Sequence, residues 1–317
     1  MDKKTIRDKV VEWLSQEGYP LEFQVANCFH KNGFNVRQGQ YVTDGQSESL
    51  REVDVLAEVH TEINDILFRI YHVVECKWSK DKPWITFTSP TARISPAACI
   101  AQTIGSKFGR AILWASAGEG SLHSLSLFSI SDRPGFGGRQ AFSKGNDIFY
   151  SAMQSVMSTA YAVAVRYDDR VSVPFGFPIV AHIVFPVIVI DGNLFEAYFD
   201  ADDGDVNIEE QKKVRLHWRG AESWKHFSTL DIVTIDILNE FVQQRHTESI
   251  KTLEVMSKYL LQIRECFINH SLEPVSDVPR ASRGIIGLPP LLGELASEIK
   301  LDKAKSSNKS GKDKAVE

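Results

Sequence analysis

Apolar residues at Ile6, Val10, Val11 and Leu14 recur at helical spacing and predict an amphipathic helix over 5–16. A second helical run, from about Leu21 to Lys31, stops at Gly33, the residue type that closes helices in a left-handed conformation. The period then drops to two. Residues 34–42 alternate as a strand, and Asp44-Gly45-Gln46-Ser47 reads as a turn. Two β-type runs, 53–59 and 70–77, flank Thr61-Glu62-Ile63-Asn64-Asp65, which is how a hairpin reads. With Asn64-Asp65 as the two-residue turn, Ile63 faces Ile66, and the same register puts Asp54 opposite Glu75. Residues 96–115 predict one helix, 125–130 a strand closing a first core, and Asp132-Arg133-Pro134-Gly135-Phe136-Gly137-Gly138 a loop at a boundary.

A helix over about 147–165 opens the second half. Strand-like runs at 179–190 and 194–199 are joined by Asp191-Gly192-Asn193, a hairpin signal. A strand near 214–218 and helices near 230–244 and 248–269 follow. Residues 274–292, rich in Pro, Gly and Arg, suit a linker, and the Lys-rich run from Lys300 suits a disordered tail. The expected organisation is a core over 1–132, an additional α+β region over 133–273, and a linker and tail over 274–317. The pattern leaves open whether the later strands extend the first sheet.

Composition narrows this little. A chain of 317 residues can bury one substantial core, alone or with a smaller second unit. The net charge of −5 does not advertise nucleic-acid binding, although a local basic patch is compatible with it. The four cysteines show no Cys-x-x-Cys spacing, which argues against zinc and fits reduced thiols in a cytoplasmic protein. The start leads into a helix rather than a signal peptide, and 179–190 is too short to span a membrane. There is no His-x-x-x-His pair, serine elbow or Walker loop, and Gly118-Glu119-Gly120 lacks the Lys-Ser/Thr of a phosphate cradle.

The chemistry concentrates at Glu75-Cys76-Lys77. Alternation along a strand puts Glu75 and Lys77 on one face and Cys76 on the other, so two carboxylates and an ammonium converge near Asp54. Like charges opposed across a hairpin need compensation, and a hard cation such as Mg²⁺ supplies it through carboxylate oxygens and water. A metal so held activates water and stabilises charge on a phosphoryl oxygen, with Lys77 placed to orient the water. The same three side chains also suit a solvated salt-bridged face. Against that, they sit between Val73-Val74 and Trp78, not inside a charge run.

In these residues the chain resembles the PD-(D/E)xK nuclease superfamily, closest to its Mrr-like and Holliday-junction-resolvase-like branches. Asp54 matches the first acidic position, Glu75-Cys76-Lys77 the (D/E)xK element, and Glu22, in the helix that ends before Gly33, the family's helix glutamate. The resemblance covers about residues 18–132. It implies an α/β fold with a restriction-endonuclease-like α-β-β-β-α-β core, here followed by an additional α+β half. It implies Mg²⁺ or Mn²⁺ held by Asp54, Glu75 and the Cys76 carbonyl, with Lys77 positioning water and Glu22 supporting the site or a second metal through water. The activity implied is an endonuclease hydrolysing DNA, serving restriction or other antiviral defence, as a homodimer or with a separate partner subunit. Val53 stands where the family name has Pro, and Gln102-Thr103-Ile104-Gly105-Ser106 lacks the Gln-x-x-x-Tyr of the exonuclease branch. The motif does not separate DNA from RNA, since it does not read the 2′-OH. A nuclease fold kept for recognition or partner assembly is the rival reading. Lys80 and Lys82 are expected on a nucleic-acid backbone, Trp78 in the core, and His72 as a satisfied core or edge histidine on the face of Val74 and Cys76.

Overall fold

The computed structural model describes residues 4–43, 49–90, 95–145, 147–168, 179–200, 202, 204–219 and 227–277, with isolated positions 293, 296, 297 and 300. The expected turn at 44–47 and nearly all of the expected linker and tail lie outside the described residues.

The protein is mixed α/β, and its described residues form one sheet of nine strands. Its spine is a pair of long parallel strands, β3 (Ile66–Thr88) and β6 (Ile179–Asp200), paired from Ile66 opposite Ile179 to Ser79 opposite Gly192 and, after a register shift, from Trp84 opposite Leu194 to Phe87 opposite Ala197. On the free edge of β3 lies β2 (Leu50–Ile63), antiparallel, and beyond it β1 (Asn35–Thr43). The far edge of β6 is covered in succession by β4 (Ile104–Gly105), β9 (Phe227–Thr234) and β7 (Asp205–Gln211). From β9 the ladder continues through β8 (Lys213–Arg219) to β5 (Gly135–Gln140), which pairs back onto the end of β3. Strands β3, β6, β9, β8 and β5 therefore close a circuit of hydrogen bonds. The second half completes the first sheet, which answers the question the sequence left open.

Alternation sorts the two sides. Ile66, Phe68, Ile70, Val74 and Cys76 of β3 enter one apolar core with α2 (Tyr19–Lys31), α4 (Lys107–Ser116) and α7 (Leu238–Asn269). Tyr71, Val73 and Trp84 enter the other, covered by α6 (Ile148–Val165). Among the described helices α6 is the one long and apolar enough to cross a membrane, and most of its apolar window is buried against the sheet. The first helix, α1 (Ile6–Gln16), has a Thr5–Asp8 capping box but leaves Ile6, Val10 and Val11 exposed, so its amphipathic stripe covers no core.

Four expectations give way. The strand expected at 125–130 is a 3₁₀ turn over Ser126–Phe128, whose Ser126 and Leu127 N–H groups donate to the Glu248 carboxylate (2.9 and 3.0 Å) instead of a strand. The sheet is joined instead by β5, within the stretch expected to be a loop. The helix expected over 96–115 is split into α3 (Pro96–Gln102) and α4 by β4, because α4 seats against β6: a Cβ on Gly109 would lie 2.0 Å from the His182 carbonyl. Asp191-Gly192-Asn193 is no hairpin. It continues β6, and Gly192 is needed for close approach, since its Cβ would meet the Ser79 carbonyl at 2.5 Å. Lastly, 227–234 is strand β9, and the helix that follows is the unbroken 32-residue α7. Leu230 and Ile232 face one core and Val233 the other, the alternation of a strand buried on both sides.

Candidate active site

The β2–β3 hairpin turns at Asn64, whose φ of +53° is one that asparagine tolerates, and Ile63 faces Ile66 as the turn chemistry requires. The ladder runs as far as Val55 opposite Val74. One step further, side chain replaces backbone: Asp54 Oδ2 accepts the Cys76 N–H at 2.7 Å. A strand residue directs its N–H and C=O to the same edge, so the Cys76 carbonyl is turned toward Asp54 as well. Among the described residues no strand pairs with this edge of β3 from Glu75 to Pro83, and β5 takes over at Trp84. The opposite edge stays locked to β6, with Glu75 against Ile188 and Lys77 against Ile190. The result is a notch in the sheet with a rigid floor.

Two carboxylates and an ammonium line the notch. Lys77 Nζ lies 2.6 Å from Glu75 Oε1, and Ser155 of α6 donates to Glu75 Oε2 at 3.0 Å, so both oxygens of Glu75 are held. Glu75 is nearly buried and Lys77 half-buried. Burial, then the Glu75 charge, pushes the Asp54 carboxyl up to about 7, against the pull of the Cys76 N–H and Lys77. Burial works to lower the Lys77 ammonium, but Glu75 and Asp54 outweigh it and raise its pKa. Glu22, in the first turn of α2, stands in the same field: burial and then Glu52 raise its carboxyl, with Glu75 adding and Lys77 opposing. Cys76 points into the opposite core, where burial lifts its thiol well above the ordinary value, so it is no nucleophile.

This set carries more negative charge than Lys77 neutralises, which is the chemistry a divalent cation seeks. Among the described residues no group of three or more His, Cys, Asp and Glu side chains is arranged to cage an ion. A cation here would take the Asp54 and Glu75 carboxylates and complete its shell from backbone oxygen and water, as Mg²⁺ commonly does.

Asp54, Glu75, Cys76 and Lys77 thus come together, and Glu22 stands within their field. Lys82 is exposed beyond the notch, and the Lys80 side chain lies outside the described residues. Trp78, expected in the core, is 47% exposed: the apolar layer on its face ends at Cys76. His72 is a core histidine, fully buried, bonded through Nε2 to Ser249 Oγ at 3.0 Å and driven down to about 3 by burial. Sequence reasoning missed Ser155 and Glu52. No local signal marks Ser155, a helix serine brought to Glu75 by the packing of α6 alone. Glu52 could have been found, since it shares the face of Asp54 by alternation. No protein-family model matches the chain, and neither a curated protein nor a solved structure matches it significantly.

Proposed function

We propose that this chain is a metal-dependent endonuclease that hydrolyses DNA phosphodiester bonds. The observation that carries the reading is Asp54 of β2 brought to Glu75 and Lys77 of β3 where β3 is held by β6 on one edge and paired by no described strand on the other, with Asp54 pushed toward neutrality by its surroundings. The order α2-β1-β2-β3, followed by helices and then a strand parallel to β3, supports the restriction-endonuclease-like arrangement, with β6 as its last strand. On that reading, β5 and α6 are additions inside the core, and α6 supplies Ser155.

Mg²⁺ or Mn²⁺ on Asp54, Glu75 and the Cys76 carbonyl would stabilise phosphoryl charge and lower the pKa of water. The protein's own groups do the rest. Lys77, with its raised pKa, stays an ammonium at neutral pH and directs a proton at a water or phosphate oxygen beside Glu75. Ser155 and Lys77 fix the Glu75 carboxylate in one orientation, so little reorganisation is needed during reaction. Glu22 and Glu52 keep the notch acidic, which favours cations over stray anions until a cation is seated. Service in antiviral defence, a cytoplasmic location and a homodimer that cuts both strands belong to the same reading.

The test is cleavage of supercoiled plasmid, linear duplex, branched DNA and single-stranded RNA by wild type and Glu75→Ala, with Mg²⁺, Mn²⁺ or EDTA. DNA cutting that disappears with EDTA and in the variant is expected. Preferential cutting of RNA, equal cutting by the variant, or no cutting of any substrate by wild type overturns the proposal.

A further inference from the structure

Three described non-glycine residues hold a positive φ: Asn64, Phe142 and His270. Asn64 makes the hairpin turn, and His270 ends α7 in the left-handed conformation common there. Phe142 lies in the turn after β5, where a bulky aromatic is an uncommon residue for that conformation. Its φ is +57° and the residue is 82% exposed, so it bears backbone strain without the burial that would offset it.

Phe142 is nonetheless held on a fixed base. Ala141 N–H donates to the Pro83 carbonyl at 2.9 Å, Gln140 Nε2 donates to Ser79 Oγ at 2.8 Å, and Ser143 Oγ donates to the Gln140 carbonyl at 2.8 Å. Ser79 in turn donates to the Lys82 carbonyl at 2.5 Å. These bonds tie the turn after β5 to the segment of β3 just past Lys77, and Ser79 shares the face of Glu75 and Lys77 by alternation. Below the turn, Phe149 of α6 packs on Trp84, ring centroids 4.9 Å apart. Arg139 and Lys144, close to it in the chain, and Lys82, next to the Pro83 that Ala141 bonds, are exposed cations, although Arg139 lies 3.9 Å from Asp147.

We infer that Phe142 is a wedge that inserts into the base stack of the DNA substrate beside the notch, so that the form cut is a duplex opened next to the scissile bond. Every base offers a π-face to an aromatic ring, and apolar side chains inserted between base steps unstack and kink a duplex. The flanking cations meet the phosphates on either side. Exposure and strain are both accounted for: the ring is presented for a partner and its backbone is set in advance. The inference rests on the DNA-nuclease reading above.

The test uses the full chain with Glu75→Gln, which binds without cutting, and duplexes carrying 2-aminopurine at successive positions, in Mg²⁺. A fluorescence rise confined to one or two adjacent positions is expected. Adding Phe142→Ala should abolish the rise and weaken binding roughly tenfold, the scale of one lost stacking contact. Phe142→Trp should keep both. Phe142→Gly, which suits a positive φ, should lose the fluorescence rise while holding or raising the melting temperature, which separates a lost contact from a lost fold. A fluorescence rise and affinity unchanged in Phe142→Ala, with wild type still cutting DNA, overturns the wedge alone. A wild type that neither cuts nor binds DNA overturns the nuclease reading and the wedge with it.

Discussion

Replacing Asp54 with Asn should stabilise the metal-free protein, and by an amount that depends on pH. The carboxyl stands at about 7 in the fold, through burial and the Glu75 charge, against roughly 3.9 when unfolded. A raised carboxyl costs nothing well below pH 4, where both states hold the proton. Above that the unfolded chain releases its proton first, so stability falls until the pH passes 7, and the full cost then remains. About three pKa units correspond to about 4 kcal/mol at most. Part of that cost is burial, which the polar Asn side chain still bears, so a gain of about 2 kcal/mol is the working expectation. Asn keeps the shape and an oxygen to accept the Cys76 N–H, so little else changes. The assay is urea unfolding followed by tryptophan fluorescence in EDTA, from pH 4 to 8. The variant and wild type should lie closest at pH 4 and separate as pH rises. Added Mg²⁺ should then stabilise wild type more than the variant. A variant no more stable than wild type at pH 8 would refute the argument that the two carboxylates repel each other across the notch.

Two further changes test the parts around it. Asp231→Leu removes the shared partner of two buried guanidiniums, Arg215 (2.7 Å) and Arg245 (2.9 Å), and should cost about 3–5 kcal/mol in chemical denaturation. Asp231 is held well below the usual carboxylate range, against its own burial, by Arg215 and Arg245. Its stabilisation is therefore full above pH 4 and lost as pH falls toward the depressed value, so the variant should show a weaker acid dependence than wild type. Ser155→Ala frees one oxygen of Glu75 and should slow cleavage roughly tenfold, the scale of one hydrogen bond to a charged group, with the unfolding midpoint nearly unchanged. An unaltered rate would show that Lys77 alone orients Glu75.

The heart of the site is legible in the chain because everything that sets it is local. Asn64-Asp65 fixes the turn, the turn fixes the register, and alternation brings Asp54, Glu75 and Lys77 together on one face. What failed was decided by distant partners. Gly192 flanked by Asp and Asn reads equally as a turn or as a place where strands crowd, and only Ser79 on β3 decides which. The 125–130 run is apolar enough for a strand, yet its backbone partners are Glu248 and Arg215 from elements about ninety residues or more away. Trp78 follows the parity of Cys76, but parity says which way a side chain points and not whether anything lies there to cover it.

The pairing of β3 with β6 joins segments more than a hundred residues apart in the chain. During synthesis, Glu75 and Lys77 leave the ribosome long before the strand that straightens them, and before the helix that brings Ser155. Parallel pairing over such a span forms late in folding. A nascent chain therefore carries the motif without the site, and a translation product stopped after its first hundred residues would be inert. On the proposed nuclease reading, that delay gives the protein a built-in interval in which it cannot yet act on the cell that is still making it.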